Sequence, residues 1–354
     1  EQETQKYLDD MQSLNVRRPD HFPRATEQIE QIQTMVADLL AKGCAYERNG
    51  SVYYHVRRDP DFGQLAKMGY AEMLATANER GNYPDDPNKD DPLDFVLWQA
   101  AQPDEPTWDS PWGPGRPGWH IECSAMNLRY LGPCIDVHGG GSDLIFPHHD
   151  CEIAQSEHHT GQQPFVRYWF HVAMVRLDGE KMSKSRGNVV NPDSYVSKMG
   201  ADTVRCYLMF VAPWEQGGDW NDNGIAGIHR WLNRIWKLST EYYTAYSVDD
   251  EEYRNLQRIT HQTIKKVTHD IDKIRFNTMI STLMEYTNYL GKIKDNGSVS
   301  QKDWQEAIKI LLLLLAPSAP HIAEELWQKT GHKYSIHNWK WPEWDEELAQ
   351  DEEI

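Results

Sequence analysis

The stretch at residues 115–157 constrains the fold most, because helix, strand and glycine signals follow one another there in a fixed order. Apolar spacing predicts a helix over 119–131, and Pro117 can open it since the first helical turn does not need its missing N–H. Residues 135–138 predict a short buried strand. The glycines at 139–141 come next, where the absence of a Cβ permits a tight turn or a close approach to a ligand. A strand, a glycine loop and a helix in this order are typical of a ligand-binding site.

The helix after the glycines carries a pattern of metal-binding side chains. His148 and Glu152 are four residues apart, which places them on one helical face in adjacent turns. The thiolate of Cys123 could reach the same ion from the preceding helix, and zinc suits this mixture of sulfur, nitrogen and oxygen donors. A tetrahedral zinc site has four ligands, and these residues would supply three of them.

Each of these signals also has an ordinary structural explanation. A lone cysteine is usually a small core hydrophobe, a helical His-x-x-x-Glu pair usually lies on the surface, and three glycines alone indicate phosphate contact only weakly. Their occurrence together in so short a stretch favours the metal site. Cys134 and Cys151 flank the site and are interpreted as packing residues, with Cys151 a rival metal donor.

Four sequence words carry a resemblance to a known family. They are WDSPWGPGRPGWHIECSAM from Trp108, DVHGGGSDLIFPHH from Asp136, EIAQSE from Glu152 and KMSKS from Lys181. These words closely resemble the class I cysteinyl-tRNA synthetases. The resemblance implies a catalytic-domain zinc that binds the thiolate of the substrate L-cysteine, with Cys123, His148 and Glu152 as three of its four protein ligands.

The same resemblance implies roles for residues outside the metal set. Lys181 and Lys184 would act in catalysis by stabilising charge on the phosphates of ATP, used with Mg2+, as pyrophosphate leaves. The residues implied in binding ATP or the adenylate are Gly139, Gly140, Gly141, Asp143, Met182, Ser183 and Lys184. Trp119 either lines the amino-acid pocket or packs in the core. His138 and His149 either belong to this pocket and tune the metal ligands, or are structural.

Composition bounds the class of protein and its location. Among the 354 residues no apolar run reaches the roughly eighteen needed to span a bilayer, and the start of the chain lacks the regions of a signal peptide. The five cysteines are scattered and odd in number, which favours a reducing cytosol and hence a cytoplasmic protein. The net charge of −18 does not exclude tRNA as a partner, because a local basic stripe acts within a Debye length of about 8 Å.

The fold class predicted from the periodicity and the resemblance is α/β. A class I synthetase nucleotide-binding domain of Rossmann-like, HUP type, lacking its first half, is followed by an all-α helical bundle. The predicted segments are 1–108 (helices and the connecting insertion of the catalytic domain), 109–200 (its second half with the zinc site and the KMSKS loop), 201–224 (a junction), 225–342 (a helical anticodon-binding domain) and 343–354 (a solvated acidic tail).

Local signals add detail to these segments. Asn49-Gly50 and Asp178-Gly179 predict hairpin turns, and 165–175 predicts a strand. The polar region 59–106 predicts a surface insertion without chemistry of its own.

The sequence departs from the cysteinyl family at both ends. Three words resemble instead the anticodon-binding domain of leucyl- and valyl-type synthetases: WLNRIWKL, FNTMISTLMEYTNYL and LLLLLAPSAPHIAEELW. No stretch matches the HIGH signature or the first half of the nucleotide-binding fold, which in the family also carries the fourth zinc ligand. We therefore expect an N-terminally truncated copy or one partner of a split enzyme. Such a chain by itself would aggregate readily, because its sheet has an open edge, and would not form aminoacyl-adenylate.

The function implied is an aminoacyl-tRNA synthetase that activates cysteine with ATP and transfers it to tRNA, with tRNA-Cys as the expected partner. One alternative is a ligase that joins cysteine to an amino sugar in thiol biosynthesis, although the helices after Ile225 argue against it. Another is a non-catalytic tRNA-binding relative. A basic run predicts either an RNA-facing stripe or the solvated face of a helix, and the solvated face is favoured; its residues are His261, Lys265, Lys266, Lys273 and Arg275.

Overall fold

The computed structural model describes residues 2–183 and 187–350. Within them the helices are α1 (Gln2–Ser13), α2 (Ile29–Ala41), α3 (Tyr70–Glu79), α4 (Trp119–Leu131), α5 (Asp150–Thr160), α6 (Asp193–Met199), α7 (Ala201–Phe210), α8 (Asp222–Thr240), α9 (Asp250–Asp272), α10 (Phe276–Asn296), α11 (Gln301–Leu315) and α12 (Pro320–Lys329). The strands are β1 (Ala45–Arg48), β2 (Ser51–Tyr54), β3 (Phe95–Ala100), β4 (Gly115–Pro117), β5 (Ile135–Gly141), β6 (Val166–Val172), β7 (Val175–Leu177), β8 (Glu180–Lys181) and β9 (Gly218–Asp219).

The chain divides into two compact units. Pro19–Ala173 forms the α/β unit, and Glu1–Arg18 together with Met174–Ile354 forms the helical unit. This order of elements confirms the predicted fold class, an α/β part followed by an all-α part.

An antiparallel sheet in the order β1-β2-β3-β4 lies in the α/β unit. Its first two strands are joined by the predicted hairpin turn, where Asn49 and Gly50 have φ angles of 51° and 80°. β3 is an internal strand, with Trp98 opposite both Val52 and Pro117. The region 59–106, predicted as a surface insertion, thus contributes a largely buried strand that its polar composition did not predict.

The core of the α/β unit is apolar and follows the helical period of α2. Ile32, Met35, Val36 and Leu39 are buried along one face of that helix, at the spacing that predicts an amphipathic helix. The same cluster includes residues of β2, β3, α4 and α5. The packing of α4 and α5 against this core holds the two helices in place beside each other.

The helix predicted over 119–131 has those bounds, but Pro117 does not open it. Pro117 ends β4, and Gly118 occupies the N-cap position of α4. A Cβ at Gly118 would lie 1.9 Å from the carbonyl oxygen of Val96, so the backbones of this turn and β3 approach too closely for any other residue. Close strand packing therefore decides where the helix begins.

β5 and β6 form a parallel pair in the α/β unit. The predicted strand at 135–138 continues to Gly141, because the three glycines pair with β6 instead of leaving the sheet as a loop. The prediction that it is buried was wrong, because Ile135 is buried but Asp136 and Val137 are exposed. Gly140 lies opposite His171 in this register.

The helical unit is built around one apolar core to which α7 to α12 contribute. Fully or nearly fully buried side chains include Trp231 on α8, Leu283 on α10 and Leu312 on α11. Asn221, Asp249 and Ser300 cap α8, α9 and α11 by accepting hydrogen bonds from backbone N–H groups.

Two smaller features complete the helical unit. β7 and β8 are antiparallel across the predicted turn, where Asp178 and Gly179 have φ angles of 53° and 78°, and β9 lies parallel to β7. Most residues of the described part of the acidic tail are exposed, as predicted, and the exposed Glu346 accepts a hydrogen bond from Lys265 on α9 at 2.6 Å. No helix in the part of the chain that the structure describes is long and apolar enough to cross a membrane.

Candidate functional site

Two helices and the turn between β5 and α5 bring the predicted metal ligands together. Cys123 lies on α4, His148 on the turn before α5, and Glu152 in the first turn of α5. One ligand atom from each lies within 4.8 Å of the ligand atoms of the other two. The convergence expected from the sequence is therefore present, although the assignment of these residues to a metal stays a prediction.

Glu152 lies at the centre of the cluster and is fully buried. Its Oε1 atom is 2.8 Å from Nε2 of His148, and its Oε2 atom is 3.1 Å from Nε2 of His138. Among the described residues, neither Oε1 of Glu152 nor Nε2 of His138 has a hydrogen-bond partner with suitable geometry. Buried polar atoms that lack such partners are costly. A cation held between these lone pairs would satisfy them, so the residues present fit a metal ion.

The electrostatics of the cluster point the same way. Burial by itself would raise the pKa of Glu152, but the neighbouring imidazoles of His138 and His148 lower it to about 2, so the side chain is a carboxylate. Burial, reinforced by the negative charges of Glu152 and Glu122, raises the pKa of Cys123 to about 12. A bound cation would supply the positive charge that a thiolate needs at this position.

A second set of ligand atoms shares Glu152. His138, His149 and Glu152 also have one ligand atom each within 4.8 Å of one another. His149 is held from the other side, because its Nδ1 shares a hydrogen bond of 2.7 Å with Nε2 of His171. The residues predicted for the amino-acid pocket and those predicted for the metal thus form one continuous cluster.

Two histidines of the cluster were missed by sequence reasoning. Nδ1 of His120 and Nδ1 of His148 share a hydrogen bond of 2.8 Å, and His171 holds His149. The pKa of His120 is lowered to about 3 by burial and then by His148, and that of His149 is lowered to about 4, mainly by burial. The rings of His120 and His149 are therefore neutral near pH 7, and neutral imidazole is the form that binds metals or orients a ligand. His171 lies in the predicted strand at 165–175, but its place opposite Gly140 follows only from the parallel register of β5 and β6.

Trp119 and Cys151 show which neighbours face the site and which belong to the core. Trp119 is 54% exposed, and its ring stacks on His148 with centroids 4.5 Å apart. This exposure argues against core packing, while the predicted pocket role is untested. Cys151 is buried in the apolar core of the unit and belongs to neither set of ligand atoms, as expected of a packing residue.

The predicted adenylate-binding glycines adjoin the histidines. A Cβ on Gly140 would lie 2.8 Å from Cε1 of His149, so a larger residue would displace this ring, whereas a Cβ on Gly139 would meet nothing closer than 3.5 Å. Arg80 donates hydrogen bonds to the backbone oxygens of Asp143 and Phe146, which fixes the turn after β5. Binding of an adenylate by Gly139, Gly140, Gly141 and Asp143 stays a prediction.

The predicted phosphate-binding loop belongs to the helical unit. Lys181 ends β8, and after Met182 the backbone N–H of Ser183 donates to Oδ1 of Asn188 at 2.8 Å. The side chain of Asn188 donates in turn to the carbonyl oxygen of Lys181 at 3.2 Å. Lys184 lies outside the described residues, so its predicted role is not addressed by the structure.

Comparison with known proteins identifies related families over most of the chain. Residues 1–230 match the family described as tRNA synthetases class I (C) catalytic domain, and residues 254–354 match the anticodon-binding domain of tRNA ligase. The chain is 50% identical over 315 residues to the cysteine–tRNA ligase of Dehalococcoides mccartyi strain 195, covering 88% of this chain and 66% of that protein. It is 54% identical over 235 residues to the leucine–tRNA ligase of strain BAV1, covering 65% of this chain and 29% of that protein.

A solved structure shares this architecture. The ternary complex of Agrobacterium radiobacter K84 agnB2 LeuRS with tRNA and LeuAMS has a TM-score of 0.56 and 28% identity, covering 70% of this chain and 37% of that one. The chain thus spans between 29% and 66% of the length of the two relatives described above. From the match over residues 1–230, the chain belongs to the family of class I (C) tRNA synthetase catalytic domains, joined here to an anticodon-binding domain of tRNA ligases.

Proposed function

We propose that this chain is part of a cysteine–tRNA ligase, which activates L-cysteine with ATP and Mg2+ and transfers it to tRNA. The observation that carries the proposal is the convergence of Cys123, His148 and Glu152 on one buried point. These residues would hold a zinc ion. When bound, zinc supplies a soft Lewis acid that prefers a thiolate over a hydroxyl or a methyl group.

Metal-based selection explains why cysteine is the substrate class that fits. Apolar packing separates side chains that differ by one methylene by only roughly 10- to 200-fold. A metal that bonds to a thiolate in preference to a hydroxyl separates cysteine from the nearly isosteric serine far more strongly. The contacts of the buried Glu152 carboxylate with the imidazoles of His138 and His148 keep this donor set ordered.

Leucine is the other amino acid raised by the comparisons, since some relatives are leucine–tRNA ligases. A leucine side chain has no lone pair to offer a metal, whereas a cysteine thiolate does. The groups that converge in the cluster are the thiol of Cys123, the imidazoles of His138, His148 and His149 and the carboxylate of Glu152. The cluster therefore supports cysteine over leucine.

Other residues have supporting roles in the proposal. Trp119, stacked on His148 and half exposed, would cover the bound amino acid. Lys181 would stabilise negative charge on the phosphates of ATP. The match of residues 254–354 to an anticodon-binding domain supports tRNA as the macromolecular partner.

Equilibrium dialysis of the zinc-loaded chain, freed of excess metal, against radiolabelled L-cysteine, L-serine and L-leucine tests the proposal. We expect cysteine to bind at least about 200-fold more tightly than serine or leucine, beyond what packing provides. Cys123→Ser should lose bound zinc and cysteine together. Cys134→Ser, a half-buried thiol outside the cluster, is the matched control and should retain both. Equal binding of leucine, or unchanged zinc content in Cys123→Ser, would contradict the proposal.

A further inference from the structure

The second set of ligand atoms in the α/β unit differs chemically from the first. It consists of His138 on β5, His149 in the turn before α5 and Glu152 on α5, with one ligand atom of each within 4.8 Å of the other two. We call it the imidazole set, and we call Cys123, His148 and Glu152 the cysteine set. The imidazole set contains no sulfur, and the two sets share only Glu152.

The shared carboxylate turns one oxygen toward each set. Oε1 of Glu152 lies 2.8 Å from Nε2 of His148, and Oε2 lies 3.1 Å from Nε2 of His138. Two donor atoms on one tetrahedral zinc ion lie about 3.3 Å apart, because each bond is about 2.0–2.1 Å long. Both separations are close to this value. Since a carboxylate can place one oxygen on each of two ions about 3.5–4 Å apart, Glu152 can serve both sets at once.

The imidazole set contains a buried polar atom that the cysteine set does not use. Nε2 of His138 is buried and lacks a hydrogen-bond partner of suitable geometry among the described residues. Such an atom is costly in a folded protein. An ion on the cysteine set would satisfy Oε1 of Glu152 but would leave Nε2 of His138 without a partner. This nitrogen is therefore a separate observation in favour of a second ion.

The two rings of the imidazole set are held in place by their neighbours. Nδ1 of His149 shares a hydrogen bond of 2.7 Å with Nε2 of His171, which leaves Nε2 of His149 for an ion. A hydrogen bond of this kind typically fixes the ring of a metal-binding histidine. The ring of Trp169 contacts the rings of His138 and His149, with its centroid 4.9 Å from each. An ion would therefore bind with little further loss of conformational entropy.

We propose that His138, His149 and Glu152 form a second metal subsite, which binds zinc or a similar divalent transition metal more weakly than the cysteine set does. The inference rests on the proposed function, because it presumes a first ion on the cysteine set. Two imidazoles and one carboxylate are the protein ligands of some catalytic zinc sites, which keep a fourth position open. Mg2+ does not fit, because it prefers oxygen ligands. Binding is weaker since no thiolate contributes and the first ion repels the second.

Titration of the metal-free full chain with Co2+ tests the proposal, because Co2+ can replace zinc and reports a sulfur ligand by a charge-transfer absorption band. We expect two ions per chain at saturation. The first should produce the thiolate band. The second should add only d–d bands, with a dissociation constant at least about 1,000-fold higher. Equilibrium dialysis with zinc should give the same number of ions and the same order of affinities.

Four variants assign the two binding events. His149→Ala should abolish the second event and retain the first with its thiolate band. His159→Ala is the matched control and should retain both events, because His159 lies on α5 outside both sets and pairs with Asp38. Cys123→Ser should lose the thiolate band and retain only the weak event. His171→Ala removes no ligand and should weaken the second event at least about tenfold, and more than it weakens the first. Circular dichroism checks the folding of each variant, and His171→Ala serves if His149→Ala is unfolded.

The outcomes separate this inference from the proposed function. Saturation at one ion per chain, with the thiolate band, would overturn the second subsite and leave the first. A second event that carries a thiolate band, or that persists unchanged in His149→Ala and His171→Ala, would place the second ion elsewhere and also overturn it. If the wild-type chain shows a single event that lacks the thiolate band and is lost in His149→Ala, the imidazole set binds metal and the zinc site of the proposed function fails instead.

Discussion

The histidine cluster of the α/β unit and the apolar core of the helical unit are buried to a similar degree but built on opposite principles. Leu312 and Leu314 in the core are fully buried and need no specific partner. Glu152 and His149 in the cluster are 0% and 2% exposed, yet the carboxylate retains an oxygen without a hydrogen bond among the described residues. Leu312 and Leu314 bury no side-chain polar atom, whereas Glu152 keeps a buried oxygen that a bound cation would satisfy.

The difference has an energetic basis. Removing apolar surface from water stabilises the fold by about 25 cal/mol for each Å² buried, whichever apolar residue supplies it. Burying a polar atom without a partner costs about 1–3 kcal/mol in proteins. A cluster that keeps such atoms therefore lowers the stability of the folded protein, but it can bind a ligand that satisfies them. Three experiments can separate these two contributions.

The largest effect is expected in the core. Leu312→Ala should lower the free energy of unfolding by about 2–5 kcal/mol, because it removes buried methyl groups and leaves a cavity, while zinc affinity should not change. Urea unfolding followed by circular dichroism measures the loss. Leu208→Ala, at a position 38% exposed on α7, should cost less than about 1 kcal/mol. Similar losses in both variants would remove the contrast between core and surface.

A smaller effect is expected when the cluster is filled. Zinc at 100 times its dissociation constant should stabilise the folded α/β unit by about 2.7 kcal/mol through mass action. Hydrogen-exchange mass spectrometry should detect added protection in peptides of α4 and α5 but not of α11. The Cys123→Ser variant should show no such gain. Protection that rises equally in α11, or in this variant, would mean that zinc acts elsewhere.

The smallest effect concerns one glycine of β5. Gly140→Ala places a methyl group 2.8 Å from Cε1 of His149, so the ring must move and zinc affinity should fall about tenfold. Gly139→Ala is the matched control, since the nearest atom lies at 3.5 Å. Competition with a zinc-binding dye measures both affinities. Equal affinities for the two variants would show that His149 does not position the cluster.

Much of the fold was predictable because its signals are local. The sequence predicted the helix α4 and an all-helical C-terminal part, and the turns at Asn49-Gly50 and Asp178-Gly179 have the positive φ angles that such hairpins require. The end of α11 at Leu315, just before Pro317, follows from the inability of proline to continue a helix.

Other features depended on contacts between distant segments. β3 follows a polar, proline-rich stretch, and its burial reflects pairing with β2 and β4 on both sides. Pro117 looked like a helix start, but pairing with Trp98 retains it in a strand. The described part of the acidic tail contacts α9 because Lys265 lies within reach of Glu346. None of these partners is close in sequence, so composition and periodicity could not identify them.

The sequence by itself determined the helix α4, the two hairpin turns, the helical character of the C-terminal part, the family resemblance and the three donors Cys123, His148 and Glu152, because residue type and short spacing carry that information. Only the tertiary structure decided that those donors converge, that His120 and His171 hold two of the rings, and that the two oxygens of Glu152 face different histidines. The physical reason is that a binding site is set by distances between side chains from different elements. Those distances are fixed by packing and strand register, which no local stretch of sequence specifies.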